Sequence, residues 1–222
     1  MKVLIVYAHP EPKSFNGAMF HTAVEQLTKN GHQLQVTDLY AMRFPPVSDR
    51  SNFDSVLNAN YFKQQLEEGH ATQVHGFSKS INSEQEKLEW CDLMIWQFPL
   101  WWFSVPAILK GWVDRVFAME RFYGHGKMYD SGIMTGKKAL LSLTTGGPQE
   151  AYLKGGLQGD LSGILRPLQR GILEFVGFSV LEPQVVFGPA RLSDEQRRAE
   201  LNRWQERLNH VFNEAPIEVG IY

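Results

Sequence analysis

Three short stretches of this 222-residue chain carry side chains suited to holding a flat, anionic molecule. In "HPEPKSFNG" (9–17), His9, Ser14 and Asn16 lead into the start of a helical pattern. Free N–H groups and the helix dipole at such a start favour a phosphate. Alternatively Ser14 or Asn16 simply caps the helix, and the two roles can coexist. In "FPLWWFS" (98–104), Trp101, Trp102 and Phe103 follow Pro99. Aromatics in a loop suit contact with a planar ring, or the docking of another protein. In "TTGGPQEAY" (144–152), Thr144 and Thr145 supply hydroxyls, and Gly146 and Gly147 let backbone approach a ligand edge closely. An ordinary strand-to-loop turn would read the same way.

These loops need a frame. "KVLIVYAHP" (2–10) is a β-branched apolar run stopped by proline, the mark of a buried parallel strand. Met19, Phe20, Val24 and Leu27 recur at helical spacing over 16–29, and "HQLQVTDLY" (32–40) reads as a second strand. Residues 41–83 are polar and irregular, too long for a plain connection, and are expected to serve a purpose such as a subunit contact. Ser83 with Glu86 predicts a capping box that opens a helix. Strands are expected at 91–98, 137–145 and 178–187, and helices at 105–119, about 160–175 and from Ser193 to about Asn213. Strands and helices alternate five times, which argues for one domain (1–222), an α/β doubly wound, five-stranded parallel sheet with helices on both faces.

In such sheets ligands bind beyond the carboxyl ends of the strands, where the strand order reverses. In the flavodoxin-like order 2-1-3-4-5 the three loops lie side by side there. Trp96 falls within a strand and Trp112 within a helix, so both are expected in the core. Phosphate loop, aromatic loop and glycine loop together point to a flat phosphorylated cofactor, and flavin fits best.

Composition excludes other classes. The net charge is −2 with no long basic block, so no nucleic-acid footprint is present. No apolar run reaches the ~20 residues of a membrane helix, and no early segment resembles a signal peptide. The lone Cys91 permits no internal disulfide and fits a reducing, cytoplasmic setting. His70 and His75 lack a metal-ligand spacing, no metal site is expected, and "GGLQGD" (155–160) lacks the dinucleotide spacing.

"AHPEPKSFNGAM", "QFPLWWFSVPAILKGW", "LSLTTGG" and "GILEFVGFSVLEPQ" together resemble the NAD(P)H:quinone oxidoreductase (DT-diaphorase) family, in order along almost the whole chain. The resemblance implies a homodimeric FAD enzyme with active sites shared between subunits. In a ping-pong cycle it would pass hydride from NADH or NADPH to flavin and then to a quinone. By matching position, His9, Ser14, Phe15, Asn16 and Ala18 would hold the phosphate and ribityl side of FAD. Pro99, Leu100, Trp101, Trp102 and Phe103 would line the flavin ring, and Thr144, Thr145, Gly146 and Gly147 its polar edge. Arg197 would sit on the adenine side, and Asp114 would reach across the dimer. Tyr123, His125 and Phe175 would cover the substrate slot, and Tyr152 would stabilise charge on the reduced ring.

The resemblance also has departures. Gln158 stands where the family has a histidine that shares the task of Tyr152, so altered proton handling is expected. His125 replaces a tyrosine of the slot. The last residue, Tyr222, follows closely on the last helix, without the tail of longer members, which leaves the electron donor open. The alternative function is a flavin-binding regulatory subunit of a membrane transport system with little catalytic role. Topology does not separate the two, because function resides in the site.

Overall fold

Residues 1–220 are described by a computed structural model. In chain order the elements are β1 (Lys2–Tyr7), α1 (Phe15–Lys29), β2 (Gln33–Asp38), α2 (Gln64–Val74), α3 (Lys79–Trp90) and β3 (Leu93–Pro99). They continue with α4 (Ala107–Val116), β4 (Lys138–Thr145), α5 (Leu161–Leu168), β5 (Ser179–Val180), β6 (Gln184–Phe187) and α6 (Asp194–Leu208). All strands pair in parallel in the order β2-β1-β3-β4-β5, with β6 also on β4, as the alternating pattern predicts.

The sheet is central because its strands are apolar on both faces, which only helices on both sides can cover. Leu4, Val6, Met94, Trp96, Phe98, Leu141 and Leu143 face one layer, with Ile81 and Leu88 of α3, Leu109, Trp112 and Val116 of α4, and Leu165 of α5. The alternate residues Val3, Ile5, Leu93, Ile95 and Leu140 face Met19, Ala23 and Leu27 of α1 and Trp204 and Leu208 of α6. The period of two along each strand thus sorts residues into the two layers. Trp96 and Trp112 are fully buried and meet edge to face at 6.4 Å, as expected of core residues.

Four local features differ from the sequence expectation. The segment 41–83 is not wholly irregular: it contains α2 and the first turn of α3. The inward face of α2 includes the carboxylates of Glu67 and Glu68, satisfied by the N–H groups of Leu57, Asn58 and Met119, so no hydrophobic period betrays it. α3 begins at Lys79 after Ser78, and Ser83 lies inside the helix with no capping role. The helix near 160–175 changes form, because Pro167 removes a backbone donor and the chain widens into a π-turn over Gln169–Glu174. The expected last strand is broken at Leu181–Pro183 into β5 and β6, both on β4, so the sheet has six strands along the expected order. At α6 the capping box is present, formed by Ser193 and Gln196.

Two buried polar anchors tie the outer segments to this frame. Arg115 of α4 donates to Asn52 Oδ1 (2.6 Å), the Pro45 carbonyl (2.7 Å) and Ser51 Oγ (3.1 Å), which fixes the chain before α2. Glu84 of α3 accepts from Thr37 Oγ1 (2.6 Å), Trp112 Nε1 (3.0 Å) and Lys87 Nζ (2.6 Å), so its buried carboxylate is fully partnered.

Candidate active site

The carboxyl ends of β1, β3 and β4 adjoin, with Ala8 N–H bonded to the Gln97 carbonyl (2.9 Å) and Leu100 N–H to the Thr144 carbonyl (2.8 Å). The loops that leave them enclose a cleft of about 510 Å³. His9, Ser14, Phe15, Asn16, Ala18, Pro99, Leu100, Trp101, Thr144, Thr145, Gly146 and Arg197 line it, all of them expected from the sequence. Lys13, Pro189 and Ala190 complete the lining and were not expected. Lys13 was legible as a cation within the anion loop. Pro189 and Ala190 carry no chemical signature and arrive only because β6 lies alongside β4.

One end of the cleft is built for negative charge. Ser14 caps α1 by accepting from Gly17 N–H (3.1 Å), which leaves the N–H groups of Phe15 and Asn16 without an acceptor among the described residues. Capping and anion binding therefore coexist. His9 Nδ1 lies 3.0 Å from the Glu11 N–H and 3.1 Å from the Glu11 carbonyl oxygen, which ties the ring to its own loop. Burial lowers the His9 pKa, against the opposing contact with Glu11. Lys13 and Arg197 add positive charge, and Arg197 is oriented by Pro189 O (3.0 Å) and Asp194 Oδ1 (2.7 Å).

The floor is a buried amide chain. Gln97 Nε2 donates to Asn16 Oδ1 (2.8 Å), and Asn16 Nδ2 donates to Thr144 Oγ1 (2.7 Å). Asn16 is thereby more than a helix cap: it joins the loops of β1 and β4 through the side chain of β3.

The aromatic loop has an unusual backbone. Trp101 and Ser104 exchange both N–H···O bonds at 3.0 Å, closing a two-residue turn on Trp102 and Phe103. Their φ angles are 51° and 57°, the left-handed region of a type I′ turn that usually takes Asn-Gly. Bulky residues there are strained, by about 1–3 kcal/mol each. Trp101 joins the cleft wall, whereas Trp102 is 96% exposed and Phe103 49% exposed, both outside this cleft.

The remaining expected residues lie elsewhere. Tyr152 is buried behind Gly147, its ring 3.2 Å from where a Gly147 side chain would start, and Gln158 is held nearby by its N–H on the Ala151 carbonyl (2.8 Å). Asp114, Tyr123 and Phe175 line a second slot of about 200 Å³ with Gln64, Glu68, Val113, Phe117 and Ile172. Asp114 pairs there with Lys110 at 2.6 Å. His125 is outside both, 3.2 Å from Glu120 Oε1. Among the described residues no His, Cys, Asp or Glu cluster is placed to hold a metal, and no helix is long and apolar enough to cross a membrane.

A sequence profile for the flavodoxin-like fold matches residues 1–208. Ribosyldihydronicotinamide dehydrogenase [quinone] of Rattus norvegicus is 49% identical over 97% of this chain and 94% of its own. This chain belongs to the NAD(P)H:quinone oxidoreductase family. NAD(P)H dehydrogenase [quinone] 1 of Cavia porcellus is 43% identical over 97% of this chain and 79% of its own. A crystal structure from Klebsiella pneumoniae, assigned by its name to the quinone reductases, superposes with a TM-score of 0.92 at 40% identity, over 98% of this chain and 87% of that one. Family membership extends over the whole sheet and all three cleft loops.

Proposed function

We propose that this member of the family is a flavin-dependent two-electron quinone reductase. It takes FAD in the main cleft, a dihydronicotinamide such as NADH or NADPH as donor, and a quinone as acceptor in a ping-pong cycle. The observation that carries this reading is one cleft that unites an anion-binding helix start, an aromatic wall and a glycine-lined polar edge. These residues fit a flavin nucleotide. Phe15 and Asn16 offer free N–H groups for phosphate, and Trp101 with Pro99 and Leu100 offers a flat wall. At Gly146 the backbone faces open space. When bound, the flavin supplies a ring that accepts hydride from the donor and passes it to the acceptor.

The protein's own residues position and stabilise. Lys13 and His9 hold the phosphate side, and Arg197, also in the cleft lining, would meet the adenine side and so favours the longer dinucleotide, FAD. Gly146 and Gly147 present backbone donors to the polar edge of the ring, where reduction builds negative charge. Tyr152 backs that edge with a hydroxyl donor, and Gln158 adds an amide that donates without exchanging a proton near neutral pH.

The site is completed by a second copy of the chain. Asp114, Tyr123 and Phe175 form a slot separate from their own cleft, and the strained turn thrusts Trp102 and Phe103 outward. A homodimer in which each slot covers the partner's cleft accounts for both facts. It also gives residues 41–83, whose α2 lines the slot, the expected role at the subunit contact.

The test is an anaerobic stopped-flow trace of FAD-reconstituted protein mixed with NADPH, NADH or ribosyldihydronicotinamide, then with menadione. Bleaching of the flavin band and its return on quinone addition is expected. Bound flavin that no donor bleaches would refute the reductase and favour a regulatory role. Failure to retain flavin would refute the cleft assignment.

A further inference from the structure

Glu68 is a buried carboxyl group, 3% exposed, in the slot that also holds Tyr123 and Phe175. Val113, Phe117, Ile172, Phe175 and Val176 make the slot largely hydrocarbon. Glu68 Oε2 accepts from Met119 N–H and Oε1 from Gln64 Nε2, each at 2.8 Å. Gln64 is itself pinned to the Asp114 carbonyl at 3.1 Å. Neither bond uses a cation. The other charged residue lining the slot, Asp114 of α4, is occupied by Lys110. From α2, the neighbouring Glu67 turns away to Arg50 and the Leu57 and Asn58 N–H groups. In the loop that carries Tyr123, His125 and Glu120 pair with each other. The π-turn contributes Gly171 and Ile172, and the residues just after it Phe175 and Val176, none of them titratable.

Among the described residues Glu68 is therefore a carboxyl group without a counter-ion in a slot of about 200 Å³, a costly arrangement for a purely structural residue. The Tyr123 hydroxyl accepts a long bond from Gln65 Nε2 (3.5 Å), which leaves its own proton to donate. Burial raises the pKa of Glu68 most strongly, against the donors Met119, Gln64 and Tyr123, and burial likewise raises Tyr123, with the charge of Glu68 adding to it. The two groups titrate as neighbours, and both keep protons to higher pH than usual.

We propose that Glu68, acting through the Tyr123 hydroxyl, relays the proton that a quinone needs as it is reduced. This rests on the reading of the slot as the acceptor site. Reduction of a quinone to a hydroquinone takes one hydride and one proton. Hydride delivery to the quinone gives a hydroquinone monoanion, and Tyr123 O–H gives its proton to the anionic oxygen. The Glu68 carboxyl group returns a proton to the Tyr123 oxygenate, and the Glu68 carboxylate is reprotonated from solvent after release of product. The electrons come from the dihydronicotinamide donor, and no further oxidant is involved. Glu68 is a positioning and relay residue; Tyr123 is the group that touches the acceptor.

The test compares wild type, Glu68→Gln and Glu68→Asp. The first readout needs no flavin: the Tyr123 phenol titration in apo-protein, followed by NMR with ring-labelled tyrosine and assigned with Tyr123→Phe. Loss of the Glu68 charge should lower the Tyr123 pKa in Glu68→Gln, and Glu68→Asp should restore part of the shift. The second readout is the pH profile and solvent deuterium isotope effect of the menadione half-reaction, begun from reduced protein. In Glu68→Gln the rate should fall by about tenfold, a barrier change of ~1.4 kcal/mol, with a flattened pH profile and partial rescue in Glu68→Asp. An unmoved Tyr123 titration overturns the coupling. A moved titration with an unchanged menadione profile overturns the relay while leaving the reductase intact. Wild-type protein that cannot reoxidise with menadione refutes the proposed function and the relay with it.

Discussion

Replacing Gly17 with alanine adds one methyl group where the chain before α1 passes closest to the helix. That methyl would lie inside the contact distance of the Pro12 carbonyl oxygen, 2.8 Å from the carbonyl carbon and 3.3 Å from the Tyr7 hydroxyl. Ordinary contact begins near 3.4 Å, and the obstacle is backbone, which cannot swing aside as a side chain would. The 9–14 loop must withdraw by roughly 1 Å, enough to carry a hydrogen bond out of its usual 2.7–3.2 Å range. Alanine gains about 1 kcal/mol in helix propensity, while overpacking costs about 1–3 kcal/mol, and a backbone obstacle places this case at the upper end. The expected net change is a destabilisation of about 1–2 kcal/mol.

The larger effect falls on the cofactor. A lost hydrogen bond to a charged phosphate is worth about 1.5–3 kcal/mol, or roughly ten- to hundredfold in Kd. Titration of apo-protein with FAD, followed by flavin fluorescence, measures the second effect, and urea unfolding the first. Gly163→Ala is the control, because a side chain there meets open space near the start of α5; it should gain stability and bind FAD normally. Gly17→Ala with wild-type FAD affinity and an unchanged urea midpoint would refute the argument that this close approach shapes the anion site.

Trp102→Gly should relieve the left-handed strain and stabilise the protomer by about 1 kcal/mol or more, yet weaken self-association; urea unfolding and sedimentation at several protein concentrations check the two halves. Arg197→Met should reduce FAD affinity by about tenfold and FMN affinity less, since on the proposed reading Arg197 meets the adenine side that only the longer cofactor has; parallel fluorescence titrations decide it. Burial raises the Glu68 pKa, so the proton on Glu68 stabilises the fold at pH below the ordinary carboxylate value. That contribution is lost as pH rises through the raised value. Glu68→Gln cannot ionise and should therefore gain in urea midpoint relative to wild type as pH rises, and a constant difference across the series would contradict this.

Apolar runs and helical periods suffice to place the strands and helices, because a strand buried on both faces must be almost wholly apolar and a covering helix must repeat near every third or fourth residue, while the strand order follows from the flavodoxin-like arrangement. The cleft lining was likewise legible at twelve positions, from His9 to Arg197, because each loop leaves a strand at the same edge and carries its chemistry locally. Segments whose stability is not hydrocarbon burial were not legible. α2 packs Glu67 and Glu68 inward on backbone donors more than forty residues away in the case of Met119, and no local pattern records such a partner. The turn at Trp102 and Phe103 defies local preference, held by the Trp101–Ser104 bond pair and its place in the tertiary frame. Local patterning sets the layers and the loops that leave each strand toward the cleft. That Tyr123, Phe175 and Asp114 form a separate slot, and that Glu68 joins them with no counter-ion among the described residues, is visible in the folded chain alone, because those contacts join α2, α4 and the segment after the π-turn across long stretches of chain.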